Sequence, residues 1–170
     1  ISLVYDEDVV EAPGSFDALL DSQYEGDLIT QNAQQSDTGR AFLLWSIIDQ
    51  GEDSYLDYWS SLLDNGVRVI SDWEPAYQAY TDGEAPMVVS YSTDQVYYDD
   101  TPRHQVGFLN DQGYAQPEGM ARFADASNPE AARDLLEFVL RPDVQGVVAD
   151  KTVQFPALEN AELSEAFAEV

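Results

Sequence analysis

The sequence has no cysteine, one histidine and only seven basic side chains in 170 residues, and each shortage closes off a class of function. Without cysteine there is no disulfide framework, no thiolate zinc site and no thiol nucleophile. Lys151 and six scattered arginines are its only strong cations. They cannot form the clustered charge that displaces counterions from phosphates, so nucleic acid is not an expected partner. The longest unbroken apolar run, Ala41 to Trp45, is far short of the roughly 20 residues a membrane helix needs. Enzyme signatures are equally scarce, with no G-x-S-x-G elbow, no Walker loop and no G-x-G-x-x-G. A hydrolase built on this chain would rest on His104 and a nearby carboxylate.

Acid is what the chain has in excess. Its 33 Asp and Glu residues give a formal charge of −26, while 44% hydrophobic and 12% aromatic residues supply enough apolar surface for a folded domain. A charge of this size repels itself in dilute buffer and is screened at molar salt, where the Debye length falls to roughly 3 Å, so a halophilic source is expected. Acidic residues here therefore say little about a ligand. Accidental carboxylate pairs are inevitable and carry no evidence of acid–base chemistry.

Along the chain, strands alternate with helices, which predicts one α/β domain over residues 1–170. Ile1 to Tyr5 is a predicted strand with no polar lead-in, as though the chain continued from something longer. Ser15 is a predicted cap for a short helix through Leu20, and a strand follows around Asp27 to Thr30. A helix from Thr38 to near Gly51 carries an apolar face broad enough to be packed on several sides. Tyr55 to Leu63 is a second helix, with Tyr55, Leu56, Trp59, Leu62 and Leu63 at helical spacing and Asn65-Gly66 as its stop. Val67 to Ile70 is a strand. Trp73, Tyr77 and Tyr80 recur at i, i+4, i+7 on a third helix, before the strand Met87 to Ser90. A helical turn at Asp94 to Tyr98, strands at Gln105 to Leu109 and Met120 to Ala124, and helices at Glu130 to Leu140, after Arg141-Pro142, and at Ala161 to Glu169 complete the reading.

Three places carry candidate chemistry. Ser36-Asp37-Thr38-Gly39 enters a helix, where unpaired N–H groups and the helix dipole favour an anion, although Ser36 or Asp37 acting only as a cap explains the same pattern. Trp73, Tyr91 and Tyr97 stand at element ends, where rings can stack on a heteroaromatic or cationic ligand or simply pack in the core. Tyr97 and Tyr98 with His104 would suit a ferric ion, with Asp94, Asp99 and Asp100 nearby, but no calcium-loop pattern is present. Tyr77 and Tyr80 are assigned to the core.

Several of these blocks also resemble a known family. Gln31-Asn32-Ala33-Gln34-Gln35-Ser36-Asp37-Thr38-Gly39 with Phe42-Leu43-Leu44-Trp45 resembles the second lobe of the thiamine-binding proteins of ABC importers. So do Asp72-Trp73-Glu74-Pro75-Ala76-Tyr77, Asp82 to Thr93 and Tyr97. Asn128-Pro129-Glu130-Ala131-Ala132 through Gln145 is similar to the closing helices of iron- and thiamine-binding proteins generally. The resemblance implies a type II periplasmic-binding-protein-like lobe, with the first lobe absent from this chain and Ile1 to Tyr5 as a hinge strand. It implies an extracytoplasmic, membrane-anchored protein, with thiamine or a thiamine phosphate bound in an interlobe cleft and delivered to an ABC permease. No cofactor and no catalysis are implied. By position, Ser36 would meet the phosphate, Trp73 and Tyr97 would flank the vitamin, and Tyr91 would line the pocket. Val153 stands where the family places a tryptophan, so one wall ring is missing. A ferric-ion binder using Tyr97 and Tyr98 is the alternative within the same fold.

Overall fold

The computed structural model describes residues 1–97 and 102–167, with the backbone alone at Tyr97. They fall into two compact units, Ile1–Gln116 and Pro117–Val170, the second described as far as Phe167.

The first unit is built on a mixed sheet of five strands: β1 (Ser2–Tyr5), β2 (Leu28–Gln31), β3 (Arg68–Ile70), β4 (Met87–Ser90) and β5 (Gln105–Gly107). Their spatial order is β3-β2-β4-β1-β5. β2 runs parallel to both β3 and β4, whereas β1 lies antiparallel to β4 and β5. The central strands are buried on both faces, which is why Leu-Ile-Thr-Gln and Met-Val-Val-Ser lack the polar alternation of a half-exposed strand.

Two cores result, one on each side of the sheet. On one side, α1 (Asp37–Gln50) and α2 (Tyr55–Asp64) cover Leu3, Leu28, Met87 and Val89 with Phe42, Trp45, Tyr58 and Leu62. Phe16 sits at the centre of this cluster, 5.0 Å from Trp45, 5.7 Å from Phe42 and 5.9 Å from Tyr58 between ring centroids. On the other side, α3 (Trp73–Thr81) packs Ala76, Tyr77 and Tyr80 on Val4, Ile29 and Val88. A four-residue helix, α4 (Asp94–Tyr97), follows β4. The chain thus leaves β2 over one face and β3 over the other, the double winding that opens a crevice at the carboxyl ends of parallel strands.

Expected boundaries move by a residue or two, and some packing is corrected. The face of α1 is narrower than its composition suggests, with Leu44 and Ile48 exposed to 42% and 73%. On α2 the buried residues are Tyr58 and Leu62, while Leu56 and Leu63 face outward, because the helix meets α1 along one stripe only. Ser15 Oγ accepts from the Ala18 N–H at 3.1 Å, but the segment is a 3₁₀ turn at Asp17–Leu20 whose N-cap position is Phe16 rather than Ser15.

In the second unit, α5 (Pro129–Val139) is capped by Asn128, and α6 (Pro142–Thr152) runs to a left-handed Val153 at φ 53°. Gln145 ties this unit together, donating to the Val139 carbonyl and accepting from the Ala157 N–H. Two expectations fail. Met120 to Ala124 is not a strand: no strand pairs with it among the described residues, its sequence lacks a clean apolar–polar alternation, and Phe123 is exposed. The expected last helix is reduced to a 3₁₀ turn at Glu165–Phe167, and Ala168 to Val170 lie outside the described residues.

Candidate ligand-binding site

The carboxyl edge of β2, β3 and β4 gathers most of the candidate residues. α1 starts just past β2, Trp73 opens α3 just past β3, and Ser90 and Tyr91 end β4.

At the start of α1 the side chains of Ser36 and Thr38 are buried. Thr38 Oγ1 donates to Gln31 Oε1 at 2.8 Å, and Gln31 Nε2 donates to the Val89 carbonyl at 2.9 Å. With the single hydroxyl proton of Thr38 spent on Gln31, Ser36 must be the donor in its 2.9 Å contact with Thr38. Ser36 is therefore not a side-chain cap, and its proton points into the protein. The exposed Asp37 carboxylate is engaged by Arg40 at 2.7 Å. The N–H groups of Asp37, Thr38 and Gly39 have no acceptor among the described residues, and they are what this turn offers an anion. Gly39 has a packing role as well: a Cβ there would lie 2.3 Å from the Gln31 carbonyl oxygen, so only glycine lets α1 approach β2 this closely.

Across β4, Trp73 is half-buried and Tyr91 is 37% exposed, with their rings tilted at 6.1 Å. Asp72 caps α3 by accepting from the Trp73 N–H, fixing where the indole starts. Tyr77, one turn on, stacks against Trp73 at 5.1 Å, so a ligand can use only the remaining face and edge of the indole. The indole Nε1 donates to Ser90 Oγ at 2.9 Å, and Ser90 Oγ in turn donates to Asp94 Oδ2. Asp94 is buried. Burial pushes its carboxyl up to about 6, against the opposing pull of the hydrogen bonds from Ser90 and the Tyr91 backbone. Sequence reasoning misses Gln31, Tyr77, Ser90 and Asp94 as supports of this surface, although the i, i+4 spacing of Trp73 and Tyr77 is a usable signal.

His104 is half-buried and packs against the tyrosines of α3 instead. Its ring stacks on Tyr77 at 6.2 Å, and its Nδ1 is 3.1 Å from the Tyr77 hydroxyl. Burial, and then the neighbouring Arg103, hold its pKa below the usual imidazole value. No group of three or more His, Asp or Glu able to hold a metal occurs among the described residues. The side chain of Tyr97, and all of Tyr98, Asp99 and Asp100, lie outside them. Val153 caps α6 in the second unit.

Residues 1–169 match the family described as bacterial extracellular solute-binding protein. The chain belongs to that family. Among curated relatives, the thiamine-binding periplasmic protein of Escherichia coli is 28% identical over 159 residues, covering 91% of this chain and 48% of its own length. The protein of the same name from Haemophilus influenzae is 27% identical over 168 residues, covering 93% and 48%. A solved periplasmic thiamin binding protein superposes with a TM-score of 0.85 at 26% identity, over 99% of this chain and 54% of that one. A ferric binding protein from Campylobacter jejuni superposes at 0.72 with 16% identity, covering 99% and 58%, and so speaks for the fold alone. The chain spans about half the length of the curated relatives it matches. No helix among the described residues is long and apolar enough to cross a membrane.

Proposed function

We propose that this chain is the second lobe of the solute-binding component of an ABC importer, taking thiamine or a thiamine phosphate in a cleft completed by a first lobe. The observation that carries the reading is the pairing of a half-buried indole and an exposed phenol, Trp73 and Tyr91, on the same strand edge as the open N–H groups of Asp37 to Gly39. A cationic heteroaromatic with an anionic tail needs both kinds of contact. Stacking on a ring contributes on the order of 0.5–2 kcal/mol, and a helix N-terminus suits phosphate. The relatives named for thiamine support the same ligand.

For the phosphate, the reading moves weight from the Ser36 hydroxyl to the backbone, because the Ser36 proton is directed at Thr38. The lobe performs no chemistry and needs no cofactor. Closure of two lobes on the ligand is what a membrane permease would sense, since a ligand shifts such an equilibrium only by binding one state more tightly. The protein works outside the cytoplasm, anchored at the cell surface or in a periplasm, and the −26 charge suits a halophile.

The test is a tryptophan-fluorescence titration of the full-length protein with thiamine in multimolar potassium chloride, repeated with Trp73→Ala. Saturable quenching that the substitution removes supports both ligand and site. Folded protein that responds neither to thiamine nor to its phosphates rejects the ligand assignment.

A further inference from the structure

Asp94 is a carboxylate set among buried groups, close to a binding surface it does not line. A buried carboxyl is costly unless it is hydrogen-bonded, and this one is held by Ser90 on β4 and by the Tyr91 backbone. Ser90 is fully buried, and its hydroxyl has one proton to give and one neighbour that must give it a proton. The indole Nε1 of Trp73 can only donate, so Ser90 accepts from Trp73 and passes its own proton to Asp94. The direction of the whole chain, indole to hydroxyl to carboxylate, is thereby fixed at both ends, by an indole that can only donate and a carboxylate that accepts.

We infer that Asp94 is a positioning residue: acting through the Ser90 hydroxyl, it locks the edge of the Trp73 indole while Tyr77 locks one face, so that the remaining face is presented in a single orientation. The ring is thus held from two directions by residues on different elements, Tyr77 on α3 and Ser90 with Asp94 on β4 and α4. Rotating it would cost both the stacking and the indole hydrogen bond. A pre-set ring spares the ligand the entropy of ordering it, which is where such an arrangement raises affinity. The consequence for affinity rests on the ligand reading above. The locking itself does not.

Two measurements on the full-length protein separate these. In ligand-free protein, acrylamide quenching of Trp73 is obtained as the difference between the parent and its Trp73→Phe variant, in wild type, Ser90→Ala, Asp94→Ala and Asp94→Asn backgrounds. Ser90→Ala and Asp94→Ala should raise the accessibility of Trp73. Asp94→Asn, which keeps an acceptor for Ser90, should stay nearer to wild type. The double variant Ser90→Ala/Asp94→Ala should be no worse than either single one, because both act on one chain of hydrogen bonds. Thermal melts confirm that each variant is folded.

Unchanged quenching in folded Asp94→Ala and Ser90→Ala, or additive effects in the double variant, overturns the inference. The second measurement is thiamine affinity, expected to fall about five- to tenfold in Ser90→Ala and Asp94→Ala. If the wild type binds no thiamine but the quenching pattern holds, the ligand assignment is lost and the positioning role stands. If thiamine binds and the variants keep full affinity, the positioning role is lost and the ligand assignment stands.

Discussion

Gly39→Ala is the substitution that most directly tests how the start of α1 is held. An alanine Cβ would lie 2.3 Å from the Gln31 carbonyl oxygen, 2.6 Å from its carbonyl carbon and 3.1 Å from the carbonyl carbon of Asn32. These are backbone atoms of β2 and the residue after it, so no side chain can swing away. Restoring ordinary contact requires α1 to retreat by about 1 Å, and overpacking of this kind costs about 1–3 kcal/mol. Alanine's better helix propensity returns at most about 1 kcal/mol, and less in a first turn, so the net loss is about 1–2 kcal/mol. For a protein of this size that lowers the melting temperature by about 2–8 °C. The retreat also stretches the Thr38 to Gln31 hydrogen bond, now 2.8 Å, and moves the N–H groups of residues 37 to 39. Thermal unfolding followed by circular dichroism at fixed salt measures the first effect, with Gly14→Ala as a control because a methyl group there would meet nothing within 4 Å. Under the proposed ligand assignment, comparing affinities for thiamine and thiamine phosphate measures the second, and the phosphate ester should lose more. A Gly39→Ala protein that melts within 1 °C of the parent, on the scale of about 0.5 kcal/mol expected of an uninvolved site, would refute the close-approach reasoning.

Other perturbations have equally definite outcomes. Phe16→Ala removes the ring at the centre of the α1–α2 core and should destabilise by about 3–5 kcal/mol in denaturant melts. The Asp94 carboxyl titrates at about 6 in the folded protein against an ordinary 3.8, so the folded state binds the extra proton between these values. Its contribution to stability is complete below the lower value and is lost as pH rises through the upper one, by about 2–3 kcal/mol, and Asp94→Asn should flatten that slope between 3.8 and about 6. Val153→Gly relieves a β-branched residue at φ 53° and should raise stability by up to about 1 kcal/mol, seen as a later chemical melt. Lowering potassium chloride from multimolar to about 0.1 M, where the Debye length grows from roughly 3 to 10 Å, should lower the melting temperature if the −26 charge is an adaptation to salt.

The fold is largely legible in the sequence because its strands and helices are marked by strong local signals. Met87 to Ser90 is an apolar run too short for a helix, Asn128-Pro129 is a cap followed by proline, and Gly66 and Gly83 stop helices with φ of 82° and 78°. The failures share a cause, which is that pattern alone does not say whether a partner exists. No strand pairs with Met120 to Ala124 among the described residues, and α2 offers two apolar stripes at helical spacing, Leu56-Trp59-Leu63 and Tyr55-Tyr58-Leu62, of which the one carrying Tyr58 meets Phe16. Which stripe turns inward is decided by what α2 packs against.

The site is legible as residue types and illegible as connections. Trp73 and Tyr91 do come together on one edge, and Ser36 to Gly39 do open a helix beside them, but the Ser36 hydroxyl is turned inward and Gly39 is held by packing. Both facts follow from Gln31, whose amide is oriented by the Val89 carbonyl 58 residues away, a link no local pattern carries. Asp94 is hidden for the opposite reason. Among 33 acidic residues its type says nothing, and what sets it apart is that it is buried, which no other acidic side chain among the described residues is. In a chain this acidic, burial rather than charge is what singles out the carboxylate proposed to position Trp73.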